Sequence, residues 1–485
     1  MTTPAPDILV DTTIVRVGAW LSSFEEELRS ARQRHGDLGE KGSVAFVQLL
    51  DSVLSKYRSA YDRFRTQHAA PAAQRLQWLQ QVGAGLAQLE NLFGRLAVPV
   101  APTLTPLLEA FTRLLEPLVP GCPPIFRPVR DFNYEIEEVH AGDFVPLLGG
   151  GVQDHPWPLL FITLPTGLLD SPRSHILVSH EIGHAIAAAH REKVDQRETE
   201  RRDATAAGTT VPSAIPSLLP RPSPTRKEIS RIVRERWKEM GLPPIKSPAP
   251  GQQQADVAVL VQLLAQVSGE IDELCEFWLE ELFSDAVGTC LFGPAFLIAM
   301  LETLLTTGSM ERGTSTHPPL AARLLCIGKT LQHVALGFSS QNFPPNLRAR
   351  FDASMVEAQA TLQAPSTAAS GEVMGTVKDL VLNRMDEIVQ VAIDRIQSAN
   401  VLYTAQQFAD DVDRFVSRFV KFGVPPIDAS ASLASVFNVG QVLCSDHLHE
   451  FCPGLDDAEK ERRIDDLLLK AIELNEVSTR WKEPQ

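Results

Sequence analysis

The sequence predicts a mainly α chain of the α+β class, in which helical N- and C-terminal domains flank a core that carries a small sheet. Three observations predict it. Apolar residues recur three and four apart over much of residues 1–120 and again over 346–485, the period of helices with one buried face. Strand-like patterning is confined to the stretch between. There Phe132, Tyr134 and Ile136 alternate with Asn133, Glu135 and Glu137, and Leu159 to Leu164 form a short apolar run closed by Pro165. Finally, 485 residues suit about three domains, and 44% hydrophobic content is ample for packed cores.

In the N-terminal domain, 1–120, the helical segments are Phe24 to Leu28, Val44 through Tyr61, and Leu76 to Leu96. Gly36, Pro71 and the prolines between Val98 and Pro106 separate them. Nothing in this domain suggests a cofactor, and it reads as a packing or partner-binding unit. The core domain, 121–345, opens with the strand signals and continues directly into a helix-forming stretch, Ser171 to Arg191, where Ser171 and Pro172 suit the N-cap and first helical position. The strands are expected to form a small sheet packed on that helix.

An insertion at about 200–254 has its own composition. Arg191 to Arg202 is charged, and Ala204 to Pro224 is rich in Ala, Ser, Thr and Pro, which predicts a mobile segment. Arg226 to Met240 then places Ile229, Ile232, Val233, Trp237 and Met240 on one face of a basic helix. That helix either lies over a cleft as a lid or docks on the body. A long apolar helical region, Ala255 to Leu282, follows another Pro-rich link. The C-terminal domain, 346–485, has helices at about Val373 to Ala399, Gln406 to Phe422 and Asp457 to Arg480, after a low-complexity link near Ala364 to Gly371.

The net charge of −15 argues against nucleic acid or an anionic membrane as the main partner. No segment of about twenty uninterrupted apolar residues is present, so no membrane span is expected. The longest apolar run, Ala286 to Leu301, is broken by two glycines and a proline and reads as buried core. Six dispersed cysteines look like reduced usage, and the first residues lack the basic and apolar regions of a secretion signal, so the expected location is cytoplasmic.

The chemistry-bearing stretch is His180-Glu181-Ile182-Gly183-His184. Positions four apart on a helix sit about 40° from each other, so both imidazoles can face one metal ion, for which zinc is the natural occupant. Glu181, one step round, can act as a general base toward an activated water without being a ligand. A third ligand has two candidates. His190 has the spacing of the H-E-x-x-H-x-x-G-x-x-H proteases, but Ala187 stands where those have the helix-breaking glycine, and an unbroken helix carries His190 about 80° from the ligand face. Glu281 and Asp285, four apart on a second helix, are the better pair. One carboxylate can bind zinc while the other accepts the spare N–H of a ligand histidine. His155 and His175 lack metal spacing to the motif, and the C-x-x-H-x-H-x-x-C run from Cys444 through His447 and His449 to Cys452 matches no zinc module.

Downstream, Ser315-Thr316-His317-Pro318 leads to Arg323. Together the three blocks resemble the gluzincin peptidases, and within them the CAAX prenyl endopeptidases and HtpX-type proteases, whose pattern is H-E-x-x-H, then E-x-x-x-D, then S-x-H-P-x-x-x-x-R. The resemblance covers roughly residues 125 to 335. It implies a zincin-like metallopeptidase core, zinc held by His180, His184 and Glu281, and an oxyanion donor in His317. It further implies that Asp285 orients His180 and that Arg323 braces the site near Asp285 or Glu281. The chain departs from the better-known members in lacking membrane spans and in carrying the insertion.

The expected function is therefore a zinc metalloendopeptidase acting on a protein or peptide substrate, with Glu181 and His317 catalytic and the helical flanks available to a partner protein. A catalytically silent peptidase-like scaffold is the alternative of another class, and a zinc hydrolase of non-peptide amides is a third.

Overall fold

A computed structural model describes residues 6–38, 41–66, 71–94, 104–122, 124–129, 134–139, 159–168, 171–207, 213–219, 222–241, 253–307, 313–333, 343–363, 372–427 and 431–482. Among the described residues the chain is mainly helical with one three-stranded sheet. It divides into two compact units, residues 1–172 with 472–485, and residues 173–471. In the first unit the sheet shares its core with the N-terminal helices, and in the second the helices from residue 372 to 398 pack on the same helix, residues 253–292, as the H-E-x-x-H helix does.

In the first unit, helices α1 (Pro6–Leu38), α2 (Lys41–Thr66) and α3 (Ala72–Gly94) bury an apolar stripe each. Leu21, Phe24 and Leu28 of α1 meet Phe46, Leu50 and Leu54 of α2 in one core that also takes in Ile125 and Phe161 from the sheet. The Phe46 and Phe161 rings stand edge to face at 5.0 Å, a favoured aromatic geometry. Arg58 clamps Glu25 across α1 and α2, with both contacts at 2.8 Å. Helix α4 (Thr105–Leu115) has Pro106 in its first turn and buries Leu107, Leu108, Phe111 and Leu115.

The sheet has β3 (Leu159–Pro165) in the centre, paired in parallel with β1 (Pro124–Val129) and antiparallel with β2 (Ile136–Val139). The apolar run at Leu159 to Leu164 thus becomes the strand flanked on both sides. Strand β1 holds Pro124 and Pro128. Proline cannot donate to a ladder, so its place at the sheet's edge is the one such a segment can take. The expected alternating segment is described from Tyr134 onward, and Phe132, Asn133 and His155 lie outside the described residues.

Ser171 and Pro172 lead through a 3-10 turn, Pro172–Leu177, into α5 (Val178–Ala207), the first helix of the second unit, which therefore starts later and runs further than the sequence indicates. Next come α6 (Arg226–Glu239), α7 (Gln253–Phe292), α8 (Pro294–Thr307), α9 (Leu320–His333), α10 (Pro345–Gln363), α11 (Glu372–Leu382) and α12 (Met385–Ser398). Helices α13 (Ala405–Asp411), α14 (Ser417–Phe422) and α15 (Leu433–Val442) follow, with a π turn at Val412–Val416 between the first two. The last helix, α16 (Asp457–Lys482), begins in this unit. Among the described residues no helix is long and apolar enough to cross a membrane.

Helix α7 is the axis of this unit, with α5, α6, α9, α11 and α12 packed on it. The apolar run Ala286 to Leu301 is buried as expected, but it is two helices, parted at Gly293, whose φ of 55° suits glycine. Buried Asn438 covers the break. Its Nδ2 donates to the Phe292 carbonyl at 2.8 Å and its Oδ1 accepts from the Ala295 amide at 3.0 Å.

The insertion helix α6 is docked on α7 and α11, which is the second of the two arrangements the sequence allows. A capping box between Thr225 and Glu228 starts it. Ile232, Val233 and Trp237 are buried, Met240 is exposed, and Arg236 pairs with Glu270 at 2.9 Å. Glu270 lies roughly 16 Å along α7 from Glu281 at the rise of an α-helix.

Helices α5 and α7 pack tightly at Gly183. A Cβ built there would lie 2.4 Å from the Ser284 Cα, a backbone atom that no rotamer change moves away. Alanine is the better helix former by about 1 kcal/mol, whereas overpacking of this kind costs about 1–3 kcal/mol. Gly183→Ala is therefore expected to lower the melting temperature. Gly269→Ala, on an open part of α7 with nothing near its Cβ, is expected to raise it by about 0.5–1 kcal/mol of stability. Parallel thermal melts of the two variants check both signs.

Candidate metal centre

Helix α5 brings His180 and His184 to one face, and α7 runs against it with Glu281 opposite both. The two Nε2 atoms are 3.1 Å apart. Glu281 reaches each of them, with Oε2 3.4 Å from His180 Nε2 and Oε1 3.3 Å from His184 Nε2. One ligand atom from each of the three lies within 4.8 Å of the others. Among the described residues this is the one grouping of His, Cys, Asp and Glu with that geometry.

The outer nitrogens explain the orientation. Asp285, one turn beyond Glu281 on α7, stands 2.9 Å from His180 Nδ1. Glu280 stands 3.0 Å from His184 Nδ1. If each Nδ1 donates its hydrogen to its carboxylate, each Nε2 is left with a lone pair. Two nitrogen lone pairs and a carboxylate then converge on one point. That arrangement is repulsive without a cation between them, and imidazole with carboxylate is a donor set that zinc accepts. Glu281 Oε2 fits the same reading, since it is buried and makes no hydrogen bond among the described residues.

Arg323 braces the centre from α9. It is buried and binds Asp285 bidentately, Nε to Oδ2 at 2.8 Å and Nη2 to Oδ1 at 2.7 Å, while its Nη1 lies 3.4 Å from Glu281 Oε2. Both carboxylates that the resemblance offered for the brace are thus within its reach.

His317 sits in a threonine-built turn. Thr314 Oγ1 accepts from the amides of His317 at 2.9 Å and Thr316 at 3.3 Å, and the Thr314 amide donates back to the His317 carbonyl at 2.8 Å. Trp278, on α7 three residues before Glu281, ties the turn down through Nε1 to the Thr314 carbonyl at 3.1 Å. The His317 ring is half-exposed, with Nε2 3.6 Å from Glu281 Oε1 and Nδ1 2.8 Å from Thr316 Oγ1. It stands at the open side of the centre.

Electrostatics divide the two glutamates. Burial works against charge on both imidazoles, but the carboxylates of Asp285 and Glu281 beside His180, and those of Glu280 and Glu281 beside His184, hold both above the ordinary imidazole value. A buried spot that favours positive charge on two histidines favours a cation in general. Burial likewise opposes ionisation of Glu281, yet Arg323 and the two histidines keep it well below the usual carboxylate range. Glu181 is buried, and burial pushes its carboxyl up despite the nearby imidazoles and Arg323. Two carboxyls whose environments drive them apart are suited to different roles, one as a permanent anion and the other as a proton carrier.

His190 is not at the centre. Its Nε2 contacts the Pro216 carbonyl at 3.0 Å, as the unbroken helix through Ala187 requires. His175 is buried in the turn before α5. His447 and His449 face Glu450 rather than a shared ligand point, and Cys444 and Cys452 are free thiols. The sequence reading did not single out Glu280, Arg191, Gly183 or Thr316. Glu280 was findable, because it neighbours Glu281 on a helix facing a histidine helix, but its side of the ring was not. No protein-family model, curated protein or solved structure matches this chain.

Proposed function

We propose that the chain is a zinc-dependent metallopeptidase of gluzincin type. The observation that carries this reading is the convergence of His180 Nε2, His184 Nε2 and the Glu281 carboxylate on one point, with Glu181 buried beside it and His317 on the open side. Three protein ligands leave a position for water or substrate, whereas structural zinc sites are closed by four.

His180, His184 and Glu281 would hold the ion. When bound, zinc supplies Lewis acidity, which polarises a carbonyl and makes water a better nucleophile at neutral pH. Glu181 takes a proton from the attacking water as its oxygen bonds to the peptide carbonyl carbon, and delivers it to the leaving nitrogen as the C–N bond breaks. A raised carboxyl pKa suits both halves of that duty. His317 donates from Nε2 to the oxygen that gains negative charge, an interaction worth a few kcal/mol in sites of this kind. Thr316 supports that role if its hydroxyl donates to Nδ1, because the hydrogen then resides on Nε2. Asp285 and Arg323 keep His180 in register.

Purified protein is expected to contain zinc by elemental analysis and to generate new N-termini in a peptide library followed by mass spectrometry. Cleavage should stop on chelation and return with zinc. The melting temperature should rise as zinc is added, since a ligand at a hundred times its dissociation constant stabilises the folded state by about 2.7 kcal/mol. Zinc without cleavage would favour the silent scaffold, and neither zinc nor cleavage would reject a metal centre altogether.

A further inference from the structure

We infer that Glu280 and Arg191 form a positioning pair that sets the tautomer and angle of the ligand histidine His184. This rests on the proposed zinc centre and concerns residues outside the H-E-x-x-H, E-x-x-x-D and H-P blocks.

The argument begins with helix geometry. On α5, Arg191 lies seven residues beyond His184, which returns it to within about 20° of the same face. On α7, Glu280 and Glu281 are neighbours about 100° apart, so their carboxylates diverge and pass on either side of one imidazole. Glu281 Oε1 takes the Nε2 side at 3.3 Å and Glu280 Oε1 takes the Nδ1 side at 3.0 Å. The other oxygen of Glu280, Oε2, is bound by Arg191 Nη1. Thus each ligand histidine has an outer carboxylate, and each outer carboxylate has its own arginine: Asp285 with Arg323 for His180, Glu280 with Arg191 for His184.

The two halves differ in depth. Asp285 and Arg323 are buried, whereas the side chain of Arg191 is 46% exposed and that of Glu280 is 16% exposed. Arg191 can therefore be truncated with little harm to the fold. Outer partners of metal-bound histidines typically change metal affinity by about 10–100-fold when removed.

The test is the zinc dissociation constant, measured by competition with a chromophoric chelator on the full chain, with melting of the chelated protein as the control for folding. Glu280→Ala is expected to weaken zinc binding by about 10–100-fold while the chelated protein melts near the wild-type temperature. Glu280→Gln, whose amide oxygen still accepts the Nδ1 hydrogen, is expected to recover most of that loss. Arg191→Ala is expected to weaken binding several-fold, and it decides the matter should Glu280→Ala fail to fold. Zinc affinity unchanged in Glu280→Ala, or in Arg191→Ala if that variant has to decide, would overturn the inference. Wild-type protein that binds no zinc would instead overturn the metal centre itself, so the two failures are told apart by the first measurement.

Discussion

Glu181→Gln is expected to bind zinc as the wild type does and to hydrolyse peptides about 10²–10⁴-fold more slowly, the range that a positioned general base contributes. The substitution is nearly isosteric, and Glu181 is not among the three converging ligand groups. It removes the proton acceptor and little else. Stability is expected to hold or rise slightly. Burial disfavours the Glu181 carboxylate, whose pKa is raised, and a neutral amide escapes that cost. Zinc content, melting temperature and turnover measured on one preparation check all three parts. Turnover equal to wild type would remove Glu181 from the chemistry. Loss of zinc would make it a ligand or a structural support instead.

The converse substitution on α7 separates the two glutamates. Glu281→Gln keeps shape but gives up the anion that faces both Nε2 atoms, so zinc binding itself should fail. Identical chemistry at positions 181 and 281 is thus expected to give opposite metal contents.

What was legible beforehand follows the range of the interactions. His180 with His184, and Glu281 with Asp285, are four apart on helices, so their shared faces can be read without knowing the fold. The docking of α5 on α7 at Gly183 is not local, because a glycine inside H-E-x-x-H looks like any variable position until Ser284 is found against it. Glu280 was obscured by its neighbour. Two adjacent glutamates look alike in sequence, and only the rotation of α7 sends one to Nε2 and the other to Nδ1. In the sequence Arg191 simply opens a charged stretch, whereas α5 continues to Ala207 and carries it on the histidine face. Strand β1 was hidden by Pro124 and Pro128, which lower strand propensity wherever the position in the sheet is unknown. The coarse class, mainly helical with a small sheet, was legible from periodicity. The core that Phe161 and Ile125 share with Phe46 and Leu50 was not, since its contacts are distant in sequence.

Asp285→Ala should be the most damaging single change to the second unit. Arg323 is buried, and Asp285 supplies two of its hydrogen bonds at 2.8 and 2.7 Å. Removing one partner of a buried ion pair costs about 3–5 kcal/mol, because the remaining charge has no water to turn to. Glu281, 3.4 Å from Arg323 Nη1, is the nearest replacement. If Arg323 swings toward it, the carboxylate is drawn off the histidines. His180 loses its Nδ1 acceptor in the same step. Lower melting temperature and weaker zinc binding are therefore expected together. A second buried pair in the same unit provides the comparison. Arg173 binds Asp465 at 2.6 and 3.3 Å and also has Glu461 at 3.5 Å. Asp465→Ala strands a buried arginine away from the ligand groups, so it should lower the melting temperature by less, with Glu461 still present, and leave zinc affinity alone. Calorimetry and chelator competition on both variants resolve the stability loss from the metal loss. An Asp285→Ala protein that melts and binds zinc like wild type would show that Arg323 finds another anion and that His180 needs no partner to keep its orientation.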